Sequence, residues 1–357
     1  MRLGHFEHLR PHCLACKTTD SVSPLEVSHV VRQHNADIIE GVLCCSNPAC
    51  RYEYPVIDGI PFLLPSLPEF LAANYEILSA RSDLSTVINS VLGDCCGPDS
   101  GFNITRQHLS SYGWCHYADL EPENTDAGAG STAQALRLMN ADVPPASGPI
   151  IDLGCSVGRG CFELAESSRQ LTLGVDLNIA MLRMASDVLR SGHVRYPLRQ
   201  VGVVYEEQDF EVHFNNAERV DFWACDATNL PFADRTFSRC VSLNSLDSVP
   251  SPVGLLQSMS NITAADGIAQ IACPYDWSSA VTAIQGWVGG HSQRAEHGGI
   301  SENVLRQILT EPSELSQQWR VLTEQDDIPW GVRLHHRSHM NYRLHGMTLQ
   351  RIRVESA

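Results

Sequence analysis

The chain has 357 residues, 43% hydrophobic and 18% charged, which gives room for two or three folded domains and excludes extensive disorder. Lys and Arg number 25 against 41 Asp and Glu, and a net charge of −16 sets the average surface field against a phosphate backbone, so a nucleic-acid substrate is disfavoured. No run of about 18 apolar residues is present and residues 1–11 carry charged side chains in place of an apolar leader, so the sequence reads as a cytoplasmic protein without a membrane span. Every basic side chain except Lys17 is Arg, which removes both a phosphate-binding Gly-Lys-Ser/Thr loop and a Schiff-base lysine from the body of the chain. The 13 cysteines are odd in number and several, such as Cys161, Cys225, Cys240 and Cys273, sit in apolar runs; this is the pattern of reduced core residues, not of a secreted disulfide framework.

Residues 1–65 form the first expected domain. Cys13-Leu-Ala-Cys16 is one metal knuckle and Cys45-Ser-Asn-Pro-Ala-Cys50 offers a second pair, so four thiolates can close a tetrahedral zinc site. Cys44 is an alternative to Cys45, and four unrelated cysteines are the other reading; counting back from Tyr54-Pro55 favours Cys45. Residues 25–39 alternate partly like strand, and the Pro-interrupted stretch from Tyr54 to Pro65 buries little by itself. A structural zinc ion would supply of order 10 kcal/mol of the missing folding free energy. With its two Cys pairs and Tyr54-Pro-Val-Ile-Asp-Gly-Ile-Pro61, the segment resembles the zinc-ribbon family that includes the eukaryotic activator subunit of tRNA and protein methyltransferases. The resemblance implies a structural or partner-binding piece attached to a methyltransferase, contacting either another protein or a second copy of the chain, and gives it no catalytic role.

Residues 66–147 are expected to be helical with loops. Phe70, Leu71, Tyr75, Leu78, Leu84, Val87, Ile88 and Val91 recur at helical spacing over 68–93. A cluster from Arg106 to Asp119, with Tyr112, Trp114, His116 and Tyr117, is either a lid over a small polar substrate or simply packed against a neighbour. The polar, Gly-rich stretch 121–131 reads as a flexible connection, and Pro144-Pro-Ala-Ser-Gly-Pro149 marks the boundary of the main domain.

The main domain, residues 148–357, opens with Ile150-Ile-Asp152-Leu-Gly154-Cys155-Ser-Val-Gly158-Arg-Gly160, a strand and glycine loop running into a helical pattern. Glycines there let backbone approach a ligand while the next helix presents its free N–H groups. The Gly-x3-Gly-x-Gly spacing differs from the Gly-x-Gly-x2-Gly of dinucleotide-binding dehydrogenases. A second strand ends at Asp176, where an acid can accept hydrogen bonds from ribose hydroxyls, and a third ends in Asp226-Ala227, suited to an adenine amino group. Further strands, ending near Asn244 and Pro274 and alternating with helical segments, predict an α/β fold, a doubly wound sheet with its ligand at the carboxyl ends of the strands. From 150 to 274 this pattern resembles class I S-adenosylmethionine-dependent methyltransferases. The expected architecture is thus a Rossmann-like methyltransferase sheet with an insertion at about 192–218, preceded by the zinc ribbon and the helical linker. The resemblance implies S-adenosylmethionine bound by Asp152, Gly154, Cys155, Gly158, Gly160, Asp176, Leu177, Asp226, Ala227 and Asn244.

Methyl transfer is a displacement at a sulfonium carbon, so the protein mainly aligns a lone pair and takes a proton where the acceptor carries one. Asp247 in Asn244-Ser-Leu-Asp247 either orients and deprotonates an amine or imidazole or caps a helix. No Asn/Asp-Pro-Pro-Tyr/Phe sequence follows the fourth strand, which turns the reading away from amino-purine and glutamine-amide acceptors. A narrower resemblance joins the glycine loop, Tyr205-Glu-Glu207 in the insertion, Asn244-Ser-Leu-Asp247, Cys273-Pro-Tyr-Asp-Trp277, Gly286-Trp-Val-Gly-Gly290 and the segments around Ile328-Pro-Trp330 and Leu349-Gln-Arg351. Over 150–351 these look like the methyltransferase module of ovothiol synthesis, which implies N-methylation of 5-mercaptohistidine; Asp247 and Tyr275, which follow the fourth and fifth strands and so border the transferred methyl, are the candidate catalytic groups. Arg159 or Arg333 would clamp the amino-acid carboxylate. Two rivals stand beside this: a methyltransferase for RNA or protein that docks its substrate through the ribbon, and a non-catalytic partner of another methyltransferase.

Overall fold

The computed structural model describes residues 1–17, 22–67 and 98–352, apart from 123, 125, 127, 142, 312, 314, 316 and 317; the helix expected over 68–93 lies outside them. Four strands open the chain, β1 (Leu25–His34), β2 (Asp37–Cys45), β3 (Glu53–Ile57) and β4 (Ile60–Leu63), and each pairs antiparallel with the next. Asp58 and Gly59, both with positive φ, make the two-residue turn between β3 and β4. Such a conformation is the one that matches the twist of a tight hairpin.

The main domain supplies β5 (Ile150–Leu153), β6 (Thr172–Asp176), the inserted hairpin of β7 (His193–Val201) and β8 (Val204–Glu211), then β9 (Val220–Cys225), β10 (Phe237–Leu243), β11 (Thr263–Cys273), β12 (Trp319–His335) and β13 (Ser338–Arg351). Apart from the β7–β8 hairpin, all of these and the first four strands belong to one sheet in the order β1-β2-β3-β4-β9-β6-β5-β10-β11-β13-β12. The central strands from β4 to β11 run parallel, and β13 and β12 close that edge antiparallel. Every residue of β5 and β9 is buried, as expected for parallel strands covered on both faces. The chain steps from β5 outward through β6 to β9, then returns to add β10 and β11 on the other side of β5. The order therefore reverses between β5 and β10, where an open α/β sheet leaves its crevice.

The helices between these strands carry their own start and stop signals. Asn178 accepts a hydrogen bond from Met181 N at the head of Ile179–Ser191, and Gly192 ends that helix in the left-handed conformation. Ser251 caps Pro252–Ile262, whose first residue is proline, the position where a missing N–H costs nothing. The helix Gly101–Tyr117, capped by Ser100, carries the aromatic cluster of the linker region and lies against β7: Gly113 sits on the Tyr196 ring and Ser110 Oγ accepts from Arg199 N at 2.8 Å.

The amino-terminal strands are continuous with the main sheet. β9 would be an edge strand of the doubly wound unit, a row of unpaired backbone groups. Instead β4 pairs with it in parallel, Phe62 opposite Ala224 and Leu63 opposite Cys225. Around this seam Asp221 Oδ2 accepts from Arg2 N at 2.7 Å and from Trp223 Nε1 at 3.0 Å, and the Phe6 and Trp223 rings lie 6.3 Å apart. No helix among the described residues is long and apolar enough to cross a membrane.

Candidate active site

The loop after β5 is shaped by its glycines. Gly154 has φ +81°, and a Cβ there would overlap Ser245 Oγ; a Cβ on Gly160 would sit 2.6 Å from Asp152 Oδ2. Both the close approach of two loops and the fit of helix Arg159–Ser168 over the strand therefore require the missing side chains. Asp152 is the third residue of β5, not its end, and its carboxyl is buried beneath the loop with Cys161 Sγ 3.7 Å away. Burial in this apolar setting pushes its pKa up to about 7. Cys155, also buried, donates its N–H to Val175 O, so the loop is stitched to β6.

Asp176 ends β6, and its carboxylate organises the crevice floor: Oδ2 accepts from Ser156 N and Oδ1 from Asn178 N, each at 2.8 Å. Burial raises its pKa while these backbone donors pull it down. Two short charge-assisted bonds hold the carboxylate in one orientation with lone pairs left to accept from a ligand's hydroxyls. Leu177, next to it, is exposed, offering an apolar side chain to a flat ring. Asp226, just past β9, bends back so that Oδ1 accepts from Thr228 N and Thr228 Oγ1, and Ala227 lies half-buried in the same turn. Asn244, just past β10, takes positive φ and donates its N–H to Ala272 O at 2.6 Å. The named residues of β5, β6, β9 and β10 thus come together along the carboxyl ends of four adjacent strands.

On the β10–β11 side, Asp247 and Tyr275 are brought to neighbouring loops. Asp247 is buried; its Oδ2 accepts from Asp276 N at 2.6 Å and its Oδ1 from Ser248 Oγ at 3.3 Å, and burial raises its pKa. It therefore ties the loop after β10 to the loop after β11. Tyr275 adopts φ +59°, a left-handed conformation costly for a bulky side chain and one that concentrates at functional sites. Its hydroxyl meets His345 Nδ1 at 2.6 Å, and His345 Nε2 meets Glu324 Oε1 at 2.7 Å. The Tyr342 hydroxyl donates to Asp276 Oδ2 at 2.9 Å, Trp277 stacks on Trp287 at 6.0 Å, and Trp277 Nε1 donates to Ser301 Oγ. Burial pushes the pKa of Tyr112, from the helix Gly101–Tyr117, up to about 12, and the negative charges of Asp176 and Asp247 add to the shift. Sequence reasoning singled out Tyr112 but missed Tyr342, His345 and Glu324; they come from the closing hairpin, and only its strand pairing carries them to Tyr275.

Neither arginine proposed as a carboxylate clamp is free-standing. Arg159 is buried and already committed, its guanidinium reaching Asp119 at 2.9 Å, Glu163 at 2.7 Å and His116 O at 3.0 Å. Arg333, on β12, lies near Asp126 and His336 at the β12–β13 turn, beside a cavity of about 320 Å³ that Glu121 and Glu206 also line. His335 and His336 belong to that turn region, and the His339 ring packs edge-on against Trp114.

Cys13, Cys16, Cys45 and Cys50 converge, with all four sulfurs within 4.8 Å of one another; Cys44 points its thiol at Cys45 O and Arg51 O instead. Cys16 and Cys45 sulfurs are 3.5 Å apart and those of Cys13 and Cys50 3.9 Å. A tetrahedron with zinc–sulfur bonds of about 2.3 Å has sulfur–sulfur edges of about 3.8 Å, so the donor set fits one zinc ion. Tyr54 backs the site, its hydroxyl accepting from Leu14 N and Ala15 N.

Residues 151–271, 121 of the 357, match the family described as a methyltransferase domain. No curated protein matches the sequence. Solved structures resemble the chain only at low identity and with TM-scores below 0.5. One, from work on conversion of a disulfide bond into a thioacetal group during echinomycin biosynthesis, is 13% identical over 61% of this chain and 81% of its own, with TM-score 0.40. Phosphoethanolamine N-methyltransferase 2 of Haemonchus contortus, solved with phosphomonomethylethanolamine and S-adenosylhomocysteine, is 18% identical over 46% of this chain and only 32% of its own, with TM-score 0.33. An arsenic(III) S-adenosylmethionine methyltransferase from Chlamydomonas reinhardtii is 15% identical over 62% of this chain and 74% of its own, with TM-score 0.36.

Proposed function

We propose that this chain, an S-adenosylmethionine-dependent methyltransferase by its 151–271 domain, methylates a ring nitrogen of a small histidine-derived thiol of the 5-mercaptohistidine type. The observation that carries the substrate reading is the aromatic cluster around the loop after β11, in which Tyr275, Trp277 and Tyr342 are each pinned by a hydrogen bond and Asp247 ties the loops after β10 and β11 together. Rigid rings suit a flat heteroaromatic acceptor, and the resemblance of Cys273-Pro-Tyr-Asp-Trp277 and Trp287-Val-Gly-Gly290 to the ovothiol module supports the same choice. The bound cofactor supplies an electrophilic methyl group. In this reading Asp176 and Asp226 orient it, while Asp247 and Tyr275 hold the imidazole so that its unprotonated nitrogen points at the methyl. Neutral imidazole has that lone pair near pH 7, so alignment carries most of the rate.

The four-cysteine cluster is read as a structural zinc site that stabilises the segment covering β9. Because β4 is already paired inside the chain, the ribbon's strand edge is spent on its own methyltransferase domain, which weighs against the reading as a partner of another methyltransferase. The charge of −16 weighs against RNA. Incubating the purified chain with methyl-labelled cofactor and 5-mercaptohistidine, histidine, a histidine-containing peptide or RNA tests the choice. Label transfer to the first compound alone is expected; transfer to RNA or peptide with none to the imidazole thiol would overturn it.

A further inference from the structure

A chain of three polar groups, two of them from the closing hairpin, lies behind Tyr275. Its hydroxyl is 2.6 Å from His345 Nδ1, His345 Nε2 is 2.7 Å from Glu324 Oε1, and Arg306 from the helix Ser301–Thr310 reaches both carboxylate oxygens, Nε to Oε2 at 3.1 Å and Nη2 to Oε1 at 2.5 Å. His345 is 4% exposed, and Tyr275 is held in a strained backbone conformation that aims it there. Glu324 is an acceptor only, so Nε2 must carry the imidazole proton; Nδ1 is then the acceptor, and the Tyr275 hydroxyl must donate to it. The tautomer follows from the partners.

We infer that Tyr275, His345 and Glu324 form a proton relay, with Tyr275 touching the methyl acceptor and His345 and Glu324 acting through it as positioning residues. The inference rests on the proposed imidazole acceptor. Methylation at the unprotonated ring nitrogen makes the acceptor a cation, the electron pair of the broken bond staying on the donor sulfur. The acceptor's remaining N–H proton passes to the Tyr275 oxygen as the Tyr275 O–H proton passes to His345 Nδ1. The imidazolium so formed is paired with the Glu324 carboxylate, which Arg306 anchors. Burial raises the Tyr275 pKa and so keeps it a neutral O–H donor in the resting site, while the Arg306 hydrogen bonds hold Glu324 below the usual carboxylate range and so ionised. The other ionisable groups facing this chain are Cys273 on β11, Glu302 on the same helix as Arg306, and Asp326 on β12; of the carboxylates, only Glu324 is hydrogen-bonded to the imidazole.

Two measurements on the full chain test the relay. In the first, nitrogen-15 histidine labelling reads the His345 tautomer without any acceptor, with Tyr275→Phe to assign and perturb the signal. A protonated Nε2 with an unprotonated Nδ1 that shifts in Tyr275→Phe is expected, and a proton on Nδ1 would overturn the relay whatever the substrate. In the second, kcat is followed against pH with 5-mercaptohistidine or, if that is not methylated, with the acceptor the labelled-methyl screen identifies. The relay takes up a proton during turnover, so kcat should fall on the acid side in the wild type. His345→Gln should lower kcat about 10- to 100-fold and remove that acid limb, with KM and cofactor affinity nearly unchanged. Glu324→Gln, at a more exposed position, should move the limb without abolishing activity. Variants that lose thermal stability or cofactor affinity but keep the wild-type pH profile would show a purely structural role and refute the relay. Failure of 5-mercaptohistidine alone would refute the substrate and not the relay, since the tautomer and the pH profile are read independently.

Discussion

If the Cys13–Cys16–Cys45–Cys50 cluster holds zinc as proposed, stripping that ion should weaken the whole enzyme, not only its first 65 residues. The seam between the two parts contains Phe62 and Leu63 at 0% exposure, Leu64 at 3% and Phe6 at 6%. Burying side chains of this size contributes about 1.5–3 kcal/mol each, so four of them contribute roughly 6–12 kcal/mol as an upper estimate. That is comparable to the entire stability of a typical domain, about 5–15 kcal/mol. If the ribbon unravels, the β9 edge is also laid bare. A loss of even about 5 kcal/mol corresponds to a fall of roughly 10–20 °C in Tm for a domain of this size. Cofactor affinity should fall with it, because His12 N donates to Pro231 O at 2.5 Å, a few residues past Asp226 in the loop expected to hold the adenine. Thermal unfolding and cofactor titration of metal-replete and chelator-treated protein, with metal content verified by elemental analysis, provide the assay. About one zinc per chain is expected before treatment. Metal-free protein that keeps its Tm within about 2 °C and its cofactor affinity unchanged would refute the argument.

Asp176→Ala should weaken S-adenosylmethionine binding about 100-fold or more by calorimetry, since it removes charge-assisted bonds worth roughly 1.5–3 kcal/mol each and also strands Ser156 N and Asn178 N. Asp152 has a folded pKa raised from 3.8 to about 7, so the folded state binds its proton more tightly than the unfolded state and stability falls as pH rises between those values. Asp152→Asn should flatten that part of the ligand-free stability curve, with an effect at pH 8 of at most about 4 kcal/mol; an unchanged slope in denaturant titrations would contradict the burial argument. Gly154→Ala should abolish cofactor binding through its clash with Ser245, whereas Gly202→Ala, where φ is also positive but nothing lies within 4 Å, is the control. Asp247→Asn should lower kcat with cofactor affinity nearly intact, because its contacts lie in the loops after β10 and β11, away from Asp176 and Asp226.

The strand-end cluster expected to hold the cofactor was legible in the sequence because each part is local. Gly154, Gly158 and Gly160 lie within one turn, and Asp176 and Asp226 each end or follow a strand whose apolar run shows in the sequence. The four cysteines were legible for the same reason, as two short-range pairs. The depth of Asp152 was not, since an acid in the middle of a fully buried strand breaks the period that would have located it. Nor was the commitment of Arg159 to Asp119 and Glu163, because Asp119 is 40 residues away in another element. His345 and Glu324 were hidden for a stronger reason: they sit in ordinary strand sequence and acquire meaning only through pairing registers, Cys273 opposite His345 and Glu324 opposite Met347.

Backbone conformation shows what holds these distant pieces to one purpose. Gly154, Ser156 and Gly158 after β5, Asn244 after β10 and Tyr275 after β11 all have positive φ, and all lie at the carboxyl ends of adjacent strands. For Ser156, Asn244 and Tyr275 this conformation costs roughly 1–2 kcal/mol apiece, and each is over-determined by a partner that a relaxed backbone would lose. Ser156 N is bonded to Asp176, Asn244 N to Ala272 O, and Tyr275 N to Cys273 Sγ with its hydroxyl on His345. The strain is thus sustained by the same contacts that hold Asp176, the acid expected to bind the cofactor, at one end and the proposed relay at the other. A substitution that relieves it, such as Tyr275→Gly, should therefore be tolerated by the fold better than by the chemistry: cofactor binding and secondary structure should survive while methyl transfer is lost.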